Sequence, residues 1–281
     1  MQAVPFVKMS GVGNDFIVVD NRTGILNQIG LHEFARRVCT RRMSLGGDEL
    51  MVIEPATSGG DFSMRTINPD GTEVKMCGNA SRCVARYAHA RGIAGARMTI
   101  DTLGGPVHAW VEGDEVRVRL QLTSRIAMDH ALVADGGRHL AHTVDVSGAP
   151  HAVVYLQDVA GALAEAIHRL GAAVRHHADF PQGINVNFVQ VVDRHTLWQR
   201  TFERGVEGET LACGTGAVAS SVVSALLGQV ESPVRLRVLG GELRVSFQRQ
   251  GDGFGELHLG GGARFVAEGV LHPEAWSWPQ G

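Results

Sequence analysis

Two cysteines, Cys77 and Cys213, occur in matching settings. Each is followed by glycine and each opens an apolar stretch with helical spacing: Met76-Cys77-Gly78-Asn79-Ala80-Ser81 in one case, Ala212-Cys213-Gly214-Thr215-Gly216 in the other. The first N–H groups of a helix lack intrahelical partners, and the helix dipole favours an anion in front of them. Gly78 and Gly214 carry no Cβ, so a ligand can approach the backbone closely. A carboxylate could bind at such a place, and a cysteine there would have its thiolate stabilised. If the two helix starts face each other, the α-carbon beside that carboxylate lies between two sulfurs. One thiolate then removes the α-proton, the opposite thiol delivers a proton to the other face, and inversion results without a cofactor. An α-proton is weakly acidic, so fixed N–H donors on the developing enolate-like carboxylate, together with exclusion of water, must supply most of the catalysis. A single cysteine at a helix start reads more simply as buried filler, because free Cys packs like a small hydrophobe. That is the reading for Cys39 and Cys83, whereas the matched pair points to chemistry.

Other polar groups have two readings each. Phe202-Glu203-Arg204-Gly205 precedes Cys213; Glu203 and Arg204 could hold a zwitterion, since Arg binds carboxylates bidentately, or could be a solvated charged loop. Asn68-Pro69-Asp70-Gly71 reads as a turn, and Asn14 in Gly13-Asn14-Asp15 shares that ambiguity. His151 follows Pro150 beside an apolar strand, where a histidine is usually just hydrogen-bonded. His176-His177 has no partner at ligand spacing, so no metal is assigned. Gly214-Thr215-Gly216 loosely matches a dinucleotide fingerprint, but no buried strand ends just before it.

The elements that must carry these groups are mostly strands. Val116, Val118, Leu120 and Leu122 alternate with polar residues, as do Val234, Leu236 and Val238, and Leu243, Val245 and Phe247; all read as half-buried antiparallel strands. Helical spacing covers Leu31 to Val38. Asp158 is positioned to cap a further helix running to Leu170, with Gly171 behind it. Two more helices start near Cys77, running to about His89, and near Cys213, running to Leu227. The last is apolar nearly all round, so other elements must enclose it. The order strands, Cys-Gly helix, strands occurs twice, with the cysteines half a chain apart. The expected fold is therefore α+β, with two similar domains near residues 1–123 and 124–264.

Composition removes other classes. The 281 residues are 44% hydrophobic and 20% charged, with a net charge of −3, so no basic surface argues for nucleic acid. The N-terminus lacks a charged-then-apolar leader and no run is long enough to span a membrane, which leaves a cytoplasmic protein as the expectation. Four cysteines are too few for a disulfide scaffold in a chain this long. Lys8 and Lys75 are the only lysines, which leaves few candidates for a pyridoxal Schiff base.

At these residues the chain resembles the diaminopimelate epimerase family over nearly its whole length. The matching stretches are Lys8-Met9-Ser10-Gly11-Val12-Gly13-Asn14-Asp15-Phe16, Asn68-Pro69-Asp70-Gly71-Thr72, Met76 to Cys83, Gly148-Ala149-Pro150-His151, Gly183-Ile184-Asn185-Val186-Asn187-Phe188, Glu203-Arg204-Gly205 and Ala212 to Ala217. The resemblance implies two domains, each a curved, mostly antiparallel sheet around a central helix, with the active site in the cleft between them and residues 265–281 completing the first domain. It implies interconversion of LL- and meso-2,6-diaminopimelate, no cofactor, no metal and a homodimer. Cys77 and Cys213 would be the acid/base thiols. Gly78, Asn79, Gly214 and Thr215 would hold the reacting carboxylate. Asn14, Asn68, Asn185, Glu203 and Arg204 would bind substrate, with Arg204 on the far carboxylate. His151 and Glu203 would tune the thiols.

Three positions depart from the family pattern: Ala80 where Gly is common, Ala149 where Asn is common, and Glu49 where Gln is common. They bear on substrate choice and motivate a second reading, a racemase of another amino acid such as histidine. Arg204 with Asn68 and Asn185 suits a second amino-acid head and speaks against it. An amino-acid binding protein without turnover would need neither cysteine, and a thiol redox protein would use both as a switch.

Overall fold

The computed structural model describes residues 3–251 and 253–278. The chain divides into two compact units, Met1–Val118 with Gly261–Gly281, and Arg119–Gly260. The passages between them fall at Val118 and Gly260, a few residues ahead of the expected positions 123 and 264.

In the first unit, β1 (Val4–Gly11) and β2 (Asn14–Asp20) form an antiparallel hairpin. Its two-residue turn, Val12-Gly13, has φ of 55° and 97°, the backbone that matches strand twist in a tight hairpin. A crossover through α1 (Leu31–Val38) brings in β3 (Glu49–Glu54) parallel to β2. Phe34, Ala35 and Val38 of α1 pack with Ile17, Leu50, Val52 and Ile67. Next, β4 (Phe62–Ile67) lies antiparallel to β3, and the short β5 (Glu73–Val74) antiparallel to β4. Then α2 (Gly78–Ala90) leads to β6 (Arg97–Thr102), parallel to β4, followed by β7 (Gly105–Glu112) and β8 (Glu115–Arg119) as an antiparallel meander. The returning strand Arg264–Leu271 pairs with β1 along its length. Strands β1, β2, β3 and β7 all touch α2, which sits inside the sheet's curve.

The second unit repeats this path. After β9 (Ala127–Ala134) come β10 (Gly137–Val146) and β11 (Ala149–Tyr155), joined by Ser147-Gly148 with φ of 49° and 82°, the same turn again. A crossover through α3 (Ala164–Arg175) brings in β12 (Asn185–Asp193) parallel to β11. Antiparallel β13 (Thr196–Glu203) and short β14 (Gly208–Thr210) follow. Next, α4 (Gly214–Leu226) leads to β15 (Val234–Val238), parallel to β13, and then to antiparallel β16 (Gly241–Gln250). Strands β10, β11, β12, β13 and β16 surround α4. That enclosure explains an uncharged helix whose Gly216–Ala225 stretch is wholly buried.

Strand register fixes which residues are equivalent in the two units. Phe16 opposite Glu49 corresponds to His151 opposite Asn185; Leu50 opposite Ile67 corresponds to Val186 opposite Phe202; Met51 opposite Thr66 corresponds to Asn187 opposite Thr201. The hairpins make Asn14 equivalent to Ala149. Counting from the cysteines, Ala80 matches Gly216 and Arg82 matches Val218.

Two local expectations are corrected. The third helix starts at Ala164, not at Asp158, because the Asp158 carboxylate accepts from Gly161 N–H (2.8 Å) and closes a turn instead. Gly171 lies inside α3, not behind it: a Cβ there would sit 2.6 Å from Phe202 Cβ, so glycine is the residue that lets helix and strand touch. Strand β15 shows the expected alternation, with Val234, Leu236 and Val238 buried and Arg235 and Arg237 exposed, but it pairs antiparallel on one side only.

Candidate active site

Cys77 and Cys213 each occupy the N-cap position of their helix, in extended backbone (φ −129°, ψ 118° and φ −121°, ψ 112°). The backbone carbonyl of each accepts the first intrahelical bond, from Ser81 N and Ala217 N respectively, at 2.9 Å. The N–H groups of the first turn beyond each cysteine are those an anion would meet.

In the first unit, Cys77 is half-buried. A chain of side-chain bonds runs beneath its helix start. Arg82 Nη1 donates to Asn79 Oδ1 (2.9 Å), Asn79 Nδ2 to Asn14 Oδ1 (2.5 Å), and Asn14 Nδ2 to Asp48 Oδ2 (3.2 Å). Asp48 also accepts from Asp15 N–H and from Arg41. Arg82 is fully buried, and its Nε and Nη2 have no hydrogen-bond partner among the described residues. Burial lowers its pKa, against the favourable charges of Cys83, Cys77 and Glu115. Asn68 closes its turn: its N–H donates to Thr72 O (2.8 Å) and its Nδ2 to Thr72 Oγ1 (3.0 Å), leaving Oδ1 for other partners. Glu49 opens β3 opposite Phe16 and is half-buried.

In the second unit, Cys213 is 7% exposed. Burial, then the negative charge of Glu203, push its thiol far above the usual cysteine range, against the Gly216 N–H and the Thr215 hydroxyl (3.7 Å), which favour thiolate. The expectation that a helix start lowers a cysteine pKa is overturned here, because desolvation beside a carboxylate outweighs the helix donors. Glu203, the last residue of β13, also accepts from Thr210 Oγ1 (2.5 Å). Gly216 has no room for a side chain: a Cβ would lie 2.1 Å from Asn187 Oδ1 and 3.2 Å from Cys213 Sγ.

Asn185 ties two strands together. Its Nδ2 donates to Pro150 O (2.9 Å) and its Oδ1 accepts from Arg204 N–H (2.9 Å), which leaves one amide hydrogen for a ligand. Arg204 itself is exposed on the loop that follows β13. His151 is fully buried. Its pKa is lowered to about 3, by burial first and the Arg204 charge second, so it is neutral at physiological pH. Its Nδ1 lies 3.2 Å from Asn187 Nδ2, and its Nε2 has no partner among the described residues. Ala149, half-buried, opens β11 next to Pro150.

Several groups carried no role in the sequence reading: Asp48, Arg82, Asn187, and the pair Gln199 and Thr201, which bond to each other and, through Thr201, to Asn187. Asn187 and Arg82 lie within the matched motifs. Gln199 and Thr201 left a weak trace, two polar residues at inward-facing, alternate positions of a strand. Cys39 and Cys83 are buried thiols, each pushed up to about 12 by desolvation, as packing residues would be. Among the described residues no group of His, Cys, Asp and Glu is placed to hold a metal ion, and no helix is long and apolar enough to cross a membrane.

Similarity to known proteins extends over nearly the whole chain. The family model for diaminopimelate epimerase matches residues 6–125 and 143–266. Diaminopimelate epimerase of Aquifex aeolicus is 38% identical over 281 residues, covering 96% of this chain and 98% of that protein. The enzyme of Chlorobaculum tepidum is 42% identical over 270 residues, covering 94% and 99%. Among solved structures, a phenazine biosynthesis protein of the PhzF family from Bacillus anthracis superposes with a TM-score of 0.71 at 13% identity, over 97% of this chain and 100% of that one. A probable proline racemase from Agrobacterium radiobacter superposes with a TM-score of 0.70 at 16% identity, over 99% and 96%. At those identities the likeness is one of fold, whereas the two sequence relatives and the model, matched on both halves, establish kinship: the chain belongs to the diaminopimelate epimerase family.

Proposed function

We propose that this protein is an isomerase that interconverts LL- and meso-2,6-diaminopimelate by two-base proton transfer at one α-carbon, without a cofactor. The observation that carries the reading is the repeated cysteine N-cap in family-matched segments of both units. Each unit supplies one cysteine-capped helix start to the reaction. Gly78, Asn79, Gly214 and Thr215 hold the reacting carboxylate against the helix N–H groups. Arg204, Asn14, Asn68 and Asn185 hold the rest of the molecule.

In one direction, the Cys77 thiolate forms an S–H bond as the Cα–H bond breaks, and the electron pair moves into the carboxylate as an enolate-like anion. The Cys213 thiol, kept protonated by burial and Glu203, gives its proton to the opposite face of the carbon. Cys213 ends as thiolate and Cys77 as thiol; proton exchange restores the start, and the reverse reaction exchanges the roles. Product would serve lysine and peptidoglycan precursor synthesis in the cytoplasm, where thiols stay reduced. A homodimer belongs to the same reading; exposed Phe265, Val266 and Val270 on the Arg264–Leu271 strand offer apolar surface for it.

The test is α-hydrogen exchange in D2O, followed by NMR, with reduced protein and LL-diaminopimelate, histidine, glutamate or lysine. Exchange with diaminopimelate alone is expected. Exchange confined to another amino acid would transfer the reading to a related racemase, and binding without exchange would make it a binding protein. Cys77→Ser and Cys213→Ser are each expected to lower the rate by about 1000-fold or more; full activity in either variant would end the two-base assignment.

A further inference from the structure

The second unit contains a buried polar network that its counterpart in the first unit does without. Gln199 Nε2 donates to Thr201 Oγ1 (3.1 Å), and Thr201 Oγ1 donates to Asn187 Oδ1 (3.1 Å). Asn187 Nδ2 donates to Ala152 O (3.1 Å) and faces His151 Nδ1 (3.2 Å). At the equivalent register positions the first unit has Met64, Thr66, Met51 and Phe16. The same β-scaffold therefore closes with apolar side chains where the second unit has Gln199, Asn187 and His151. Buried polar groups weaken a core unless fully satisfied, so their presence calls for a purpose beyond holding the fold.

Accounting for donors and acceptors settles the state of the imidazole. The Ala152 carbonyl can only accept, which orients the Asn187 amide with its nitrogen toward Ala152 and His151. The acceptance of Thr201 by Oδ1 agrees with that orientation. One amide hydrogen goes to Ala152 and the second to His151 Nδ1, which must therefore present a lone pair. The ring proton then resides on Nε2, which is fully buried and unpartnered among the described residues. We propose that Asn187 is a positioning residue: it holds His151 in the Nε2–H tautomer, so that one buried N–H is kept for an acceptor atom of the bound substrate, a carboxylate oxygen being what an amino acid supplies. The inference rests on the reading of His151 as a site residue, but the tautomer itself does not depend on which substrate is turned over.

The experiment uses full-length protein labelled with 15N-histidine and long-range 1H–15N correlation, with the His151 signals identified by their loss in His151→Gln. Without any ligand, the wild type should show protonated Nε2 and bare Nδ1 from pH 6 to 8. Asn187→Asp places an acceptor opposite Nδ1 and should move the proton to Nδ1. Asn187→Met, which copies Met51, should leave a mixture of tautomers in a protein that unfolds no more easily than the parent. In the exchange assay Asn187→Met should lose about 100-fold in kcat, with KM changed less than threefold. Thr201→Val removes the donor to Asn187 Oδ1 and the acceptor of Gln199 but leaves the Ala152 carbonyl to orient the amide; should Asn187→Asp fail to fold, this variant tests the same point, since it should keep the Nε2–H tautomer, and a proton on Nδ1 there would overturn the proposal. An Nδ1–H tautomer in the wild type overturns the proposal, as does Asn187→Met with unaltered His151 signals and full kcat. Failure of the wild type to exchange diaminopimelate would instead remove the functional reading and leave the tautomer assignment standing.

Discussion

Five residues past the cysteine, α2 carries Arg82 and α4 carries Val218, and both side chains are fully buried. The two helices are built on one backbone plan, begin with the same dipeptide and are enclosed by equivalent strands. Their electrostatic surroundings nevertheless have opposite signs. Beneath Cys77 lies a guanidinium with no carboxylate bonded to it, linked through Asn79 to Asn14. Beside Cys213 lies the Glu203 carboxylate, with neutral groups behind it. A positive neighbour favours thiolate and a negative neighbour favours thiol. Two-base inversion needs one sulfur in each state at the start of every turnover, and a perfectly repeated site would give two equal thiols. The two units thus share a scaffold and differ at a few inward-facing residues around their cysteines.

This contrast can be broken, beginning where the effect is largest. His151 replaces what is Phe16 in the first unit, and its pKa falls from 6.5 to about 3 on folding. Between those values the unfolded chain binds more protons than the native one, so stability is full above pH 6.5 and declines as pH falls toward 3. The lost contribution reaches on the order of 5 kcal/mol. Urea unfolding at pH 7 and pH 4 should show a smaller acid loss for His151→Phe than for the parent, and equal losses would contradict a buried neutral imidazole. The next effect separates Gly216 from Ala80. Gly216→Ala forces a Cβ onto Asn187 and should destabilise by about 2 kcal/mol despite the better helix propensity of alanine, whereas Ala80→Gly should cost about 1 kcal/mol. Thermal melts of the two single variants decide it; equal shifts would mean the two helix starts are packed alike. Last, Arg82→Met removes a buried, incompletely bonded charge. Activity per folded molecule should fall about tenfold, with Tm unchanged or raised, because desolvation of that charge disappears. A lowered Tm with full activity would make Arg82 a structural residue only.

Much of this was readable from residue order alone, for reasons that differ by element. The apolar surround of α4 showed in its composition, since a helix without charges must be covered. Period-two alternation located β15 and most of β16. The cysteine helix starts were found because Cys-Gly occurs twice at half-chain spacing. The start of α3 was misplaced because Asp158 has two local uses, helix cap or turn, and only the path of the backbone decides between them. Gly171 was misread because its partner, Phe202, lies on a strand 31 residues away. The polar relay through Asn187 and the cation at Arg82 could not be anticipated, as both depend on which side of a strand or helix faces inward at a given register. The raised thiol of Cys213 was missed for a related reason: burial acts over the whole environment, while the helix start is visible in four letters.

The strand Arg264–Leu271 lies beside β1, so the first unit uses both early and late parts of the polypeptide, while the second unit is one uninterrupted stretch. During synthesis on the ribosome, Arg119–Gly260 is fully translated before the partner of β1 exists. The earlier stretch must wait with an open strand edge, a known point of mispairing, until Arg264–Leu271 has been made. Premature termination near residue 260 would therefore damage the region made first more than the region made last.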